Sequence, residues 1–273
     1  MLPPTVIVGL HGVLERNPWF DRVVEQDDEG AVEEDLLSLA IDRAGAYGWQ
    51  SVSGWLHEDG KVTARHEPTS WAHEEVGGNW AQDGRVHQLA WLQAGVLTDP
   101  PLPGLPVRPI SLVLSEALAR VGTVTFSGMH ALLPLQAAAR NTAFHQIELA
   151  PWFGLADPDA RYEVVVTVSR QPQEGGADGR DAVAVCDAVR EMAQGAADVS
   201  VAATGGCPPG VELDLDRVLH TEGMREVMRF RCRTREWSPD IAVWLVEMVA
   251  DGLRGAGRVA PVVVTASLGS LST

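Results

Sequence analysis

Between Arg225 and Arg235 the chain reads Arg-Glu-Val-Met-Arg-Phe-Arg-Cys-Arg-Thr-Arg, which holds five of its twenty arginines. A guanidinium group is a planar fork that binds carboxylate or phosphate through two parallel hydrogen bonds. Arg229, Arg231 and Arg233 alternate with Met228, Phe230 and Cys232. Period-two alternation predicts a strand with its apolar residues on one face and its arginines on the other. In a chain of formal net charge −16, such a row needs anions. They would come from carboxylates of the same chain, with Glu163 a candidate, from a partner's acidic surface, or from a small anionic ligand held by Arg229, Arg231 and Arg233.

Histidine is the other residue type with chemistry to offer near neutral pH. His130, His145 and His220 are the candidates for proton transfer beside an anion site, with His130 and His145 flanking an expected helical stretch, Ala131 to Ala143. No serine, cysteine or carboxylate stands at a spacing that names a catalytic partner. His57, His66, His73 and His87 lie among acidic residues, but their spacings match no metal motif, so no metal is assigned. His57-Glu58-Asp59, His220 and the downstream Arg229 or Arg231 together resemble the ligand pattern of 2-oxoglutarate-dependent iron oxygenases. That family needs a many-stranded jelly roll, and the helices expected here argue against it. Asp59-Gly60 reads more simply as a hairpin tip. Cys186 and Cys232 are expected on buried faces. Cys207, between Gly206 and Pro208, is the one cysteine expected in a loop.

Tryptophan clusters in the first half. Trp71, Trp80 and Trp91 fall in residues 66–104, a segment read as irregular because His, Trp, Gly and Pro dominate it. Tryptophans there would plug the core or line a binding groove, and Trp71 and Trp80 are taken as ligand-binding candidates.

The totals narrow the class. With 273 residues and 45% hydrophobic content, the chain has ample material for a core. No run of apolar residues is long enough to span a membrane, and no secretory signal is visible. Three widely spaced cysteines argue for free thiols in a reducing cytoplasm. One lysine against twenty arginines suggests a high-GC bacterial genome such as an actinomycete's. The acidic balance disfavours nucleic acid and anionic membranes. There is no Walker loop, GxGxxG, GxSxG or HExxH, and no cofactor is assigned.

The elements that would position these residues are clearest in the second half. Tyr162–Ser169 is a predicted strand, 180–194 a helix with Val183, Cys186, Val189 and Ala193 inward, and 198–204 a strand. The arginine strand follows. A helix opening on Ser238-Pro239-Asp240 comes next, with a last strand over Val259–Ala266. That β-α-β-β-α-β order is ferredoxin-like. Residues 1–128 are read as a divergent version: a strand over 5–14, a helix over 33–46, a hairpin over 50–65, the irregular insertion 66–104, a helix over 109–121 and a strand over 122–127. Residues 129–161 would connect the two, leaving 162–273 as the second unit. The fold class is therefore α+β. Its arginine face would lack the aromatics with which RNA-binding sheets of this topology stack bases.

Two functions fit. One is a binding protein or an enzyme of specialised metabolism that takes a small anionic molecule between the halves. The other is a non-catalytic subunit, adaptor or immunity-type protein that docks a partner through arginines and tryptophans. A homodimer fits either.

Overall fold

The computed structural model describes residues 4–20, 39–40, 42–44, 56–58, 61–63, 71–96, 105–137, 155–171, 178–203 and 223–269. Ten strands and three long helices are labelled in chain order. They are β1 (Thr5–Arg16), β2 (Leu56–Glu58), β3 (Lys61–Thr63), β4 (Trp71–Gly77), β5 (His87–Val96), α1 (Val107–Val121), β6 (Gly122–Leu133), β7 (Tyr162–Arg170), α2 (Asp178–Ala193), β8 (Asp198–Val201), β9 (Arg225–Thr234), α3 (Pro239–Gly255) and β10 (Val262–Leu268). Eight strands form one sheet in the order β4-β5-β1-β6-β10-β7-β9-β8. Every neighbouring pair is antiparallel. The protein is thus α+β, with a large antiparallel sheet and few helices. No helix among the described residues is long and apolar enough to cross a membrane.

Side-chain alternation decides which sheet face is the core. Val6, Val8 and Leu10 on β1, Met129 and Ala131 on β6, Val164, Val166 and Val168 on β7, and Met228, Phe230 and Cys232 on β9 join one apolar cluster with the helices. Burying one such aliphatic side chain contributes about 1.5–3 kcal/mol before entropy is counted, so the helix-side face dominates the stability. The opposite face has a much smaller cluster of Ile7, Leu132 and Val263, with Trp91 and Met224 packed beside it.

α3 starts as its sequence requires. The Ser238 side chain accepts the Ile241 amide at 3.4 Å, Pro239 opens the first turn and Asp240 faces the positive end of the dipole. Its stripe of Ile241, Trp244, Leu245, Met248, Val249 and Gly252 is buried, as are Ala242, Val243 and Val246. The burial exceeds one stripe because α3 packs on α1, α2, β6 and β10 at once.

Several expectations require correction. Residues 66–104 are not irregular throughout, since β4 and β5 lie within them. β2 and β3 do pair antiparallel, with Glu58 opposite Lys61, but as a separate two-stranded sheet, and Asp59-Gly60 lies outside the described residues. The strand expected at 122–127 continues to Leu133, so Ala131–Leu133 are strand rather than helix, and Leu135–Ala137 form a short 3-10 turn. Val183 points outward. Ala182, Val185, Cys186, Val189 and Ala193 form the buried stripe of α2 instead. Of the helix expected at 33–46, residues 39–40 and 42–44 are described and are helical, with Ala40 and Ala44 buried in the core.

Candidate functional site

β9 carries the arginines as its alternation predicts. Met228, Phe230 and Cys232 are buried, while Arg231 and Arg233 are exposed on the other face. Arg229 is nearly covered and donates to Glu226 at 2.6 Å. Arg233 meets Glu163 of the adjacent β7 at 3.4 Å, in register with it. Among the described residues Arg231 has no ion pair. Two of the three arginines therefore have carboxylates of the same chain beside them. The Arg229 pair is only half used, however. Arg229 Nε and Glu226 Oε1 are both buried without a hydrogen-bond partner among the described residues. Guanidinium and carboxylate can share two bonds, and here they share one.

Following the register away from Arg229 leads across the sheet. Arg229 lies opposite Thr167 on β7, Thr167 opposite Thr265 on β10, and Thr265 opposite His130 on β6. His130 lies opposite Gly9 on β1, and Gly9 opposite Trp91 on β5. Residues paired directly across strands share a face. At the usual strand spacing, His130 and Arg229 are about 14 Å apart along the row. The face is the one away from the helices, with Thr265 and His130 buried in it.

His130 is fully buried, and its Nδ1 is 2.8 Å from Nε2 of His11, which is also buried. The ring centroids are 5.1 Å apart with the planes at 61°. One imidazole donates to the other, so the contact needs at least one neutral ring. Burial favours that state. It pushes the His11 pKa down from 6.5 to about 4. It holds His130 well below its ordinary value, with repulsion from a charged His11 adding to the effect. His130 Nε2 is buried and has no hydrogen-bond partner among the described residues. Space for the ring comes from Gly9, where an added Cβ would fall 2.2 Å from His130 Cε1. His11 lies opposite Gly128, two residues from His130 along β6, so the two rings meet diagonally across the strands.

The remaining candidates are placed as follows. His145, His220, His66 and Cys207 lie outside the described residues. Trp71 begins β4, and His57 and His73 lie on β2 and β4. Trp80 packs against the core, stacks edge-to-face on Phe20 and donates its indole N–H to the Leu89 carbonyl at 2.8 Å. His87 bridges Asp83 at 2.7 Å and Asn79 at 3.3 Å. The Asp83 carboxyl is held below its ordinary pKa, first by the Arg85 amide and then by His87. No group of three metal-ligating side chains occurs among the described residues. Cys186 and Cys232 are free and buried, and burial pushes the Cys232 thiol up to about 12, which makes it a poor nucleophile.

Sequence reasoning missed His11, Thr167 and Thr265. His11 sits inside an apolar strand-like run, and the threonines read as ordinary strand residues. Their only signal is the register of strands far apart in the chain. Comparison with protein-family models, with curated proteins and with solved structures finds no match.

Proposed function

We propose that this chain binds a small anionic molecule on the sheet face away from the helices. Arg229 and Arg231 take the anion and His130 meets the far end of the ligand. The observation that carries the reading is the row His130-Thr265-Thr167-Arg229, which has a buried, unpartnered polar nitrogen at each end. A buried donor or acceptor left unmade costs about 1–3 kcal/mol, so a ligand that completes both gains that much at each end. Glu226 refines the chemistry. A bare anion would be repelled by its carboxylate, whereas a ligand with both an oxyanion and an N–H or O–H donor satisfies the two unused valences of the pair. Neutral His130 can donate or accept one hydrogen bond through Nε2, and the same atom would serve a proton transfer.

The same reading takes each set of four strands as a ferredoxin-like unit, residues 1–128 and 162–273 with a connecting segment. Its support is the strand order. From either outer edge inward, the sheet runs through the second, third, first and fourth strand of each set. The row then crosses from the first set of strands to the second between His130 and Thr265, because β6 runs past residue 128 into the connecting segment.

Native mass spectrometry of the purified chain, set against its denatured mass, tests the proposal. A bound small molecule is expected, and Arg229→Gln should lose it while keeping its circular dichroism spectrum. A bare chain that binds no member of a panel of amino acids, carboxylates and phosphates would overturn it. A second reading, a non-catalytic docking protein, is favoured by the exposed Arg231 and by the short edge strand β8 with its exposed Val201. A co-purified chain or a multimer that dissociates as salt rises would select it.

A further inference from the structure

On the helix side of the sheet, a cavity of about 110 Å³ opens where β7, β9 and β10 meet the C-terminal end of α3. Its floor is apolar: Val168, Met228 and Val262 are buried. Two guanidinium groups, Arg170 and Arg258, line it, and no carboxylate among the described residues does. Arg170 is 6% exposed and lies in register with Arg225 of β9, so two like charges are neighbours at this end of the sheet. Arg258 is ion-paired with Asp181, outside the lining.

The end of a helix would ordinarily oppose an anion, because its free carbonyls are negative. Here they are spent. The Ala256, Gly257 and Arg258 amides bond to the Gly252, Arg254 and Leu253 carbonyls at 2.9–3.0 Å, with Gly257 in the left-handed conformation at φ +80° that closes such a turn. The cavity is therefore a greasy slot with a cationic rim. A guanidinium group has five N–H donors, and one or two contacts do not exhaust them. A phosphate would match the donors but waste the floor. An alkane would match the floor but leave the donors facing it.

We propose that this cavity binds a short-chain monocarboxylate, with the carboxylate on Arg170 and Arg258 and the alkyl chain on Val168, Met228 and Val262. At about 30 Å³ for each water-sized group, the volume suits a chain of roughly three to five carbons. The site lies on the opposite side of the sheet from the row described above and does not depend on it.

Butyrate is the probe, titrated into the whole chain and followed by the methyl resonance of Met228 and the valine methyls. Butan-1-ol and inorganic phosphate serve as controls. Butyrate is expected to shift these resonances saturably and to bind more tightly than either control. Arg258→Gln should weaken it about tenfold. Ala260→Phe, which fills the slot without touching a charge, should abolish the shifts. Equal binding of butan-1-ol would reduce the site to an apolar hole, and equal binding of phosphate would reduce it to a cationic patch. Either result, or no shift at all, overturns the proposal.

Discussion

The first four strands of the sheet and the last four follow the same order inward but carry different chemistry on the face away from the helices. The first set presents Trp91, Gly9, His11 and His130, an aromatic and neutral surface. The second presents Thr265, Thr167, Arg229 and Arg231, a hydroxyl and cationic one. The helix side shows much less contrast, because buried apolar side chains dominate it in both sets. The frame is fixed by packing, which asks only for apolar bulk on one face. The other face is free to differ, and there the two sets supply complementary halves of one polar row.

That contrast can be broken experimentally, and the largest effect is expected at Gly9. The Cβ introduced by Gly9→Ala would lie 2.2 Å from His130 Cε1. The buried ring or the strand must move, at a cost of about 2–3 kcal/mol read from the urea midpoint. Thr167→Ala, at the corresponding place in the row of the other set, should cost less than about 1 kcal/mol by the same measurement. An equal loss at both positions would erase the distinction between the sets.

Acid should also act on the first set alone. The folded pKa of His11 is about 4 against 6.5 when unfolded, so between those values the unfolded chain binds more protons. Stability is then undiminished above about pH 6.5 and falls as the pH drops toward 4, by up to about 3 kcal/mol for this imidazole. Urea midpoints across that window should decline, and His11→Asn should make the decline shallower while buried His130 still contributes its own part. A slope unchanged by the substitution would place the acid sensitivity outside His11.

The smallest effects separate the arginines within the second set. Arg229→Met leaves the partly buried Glu226 without its partner and should cost about 1–3 kcal/mol. Arg233→Met removes an exposed pair with Glu163 and should cost no more than about 0.5 kcal/mol. Thermal melts of the two variants side by side would show the ranking, and a reversed order would mean that Arg229 is held by something other than Glu226.

The parts legible in the sequence are those governed by short-range rules. β9 was readable because arginine and apolar residues alternate within one strand. The start of α3 was readable because serine, proline and aspartate each suit a specific position there. β5 was not readable, because Leu89 and Ala90 are adjacent and both buried, which destroys the alternation that marks a strand. The pairing of His11 with His130 spans 119 positions and depends on the pairing of β1 with β6, which no local pattern announces. Half of the candidate row could therefore be named from sequence, namely His130 and Arg229. The threonines that join them, and the second histidine, needed the strand order.

One further consequence follows from the contact between β6 and β10. It is the middle of the sheet, yet β10 comes after every other strand in the chain. During synthesis, β1, β5 and β6 can assemble while β6 still offers a bare row of amides and carbonyls on the side that β10 will occupy. A nascent chain in that state has a long, sticky edge in what will become its interior, open to the same edge on a neighbouring ribosome. The centre of the finished protein is thus its most exposed part while it is being made, and slow translation between residues 133 and 262 would lengthen that exposure.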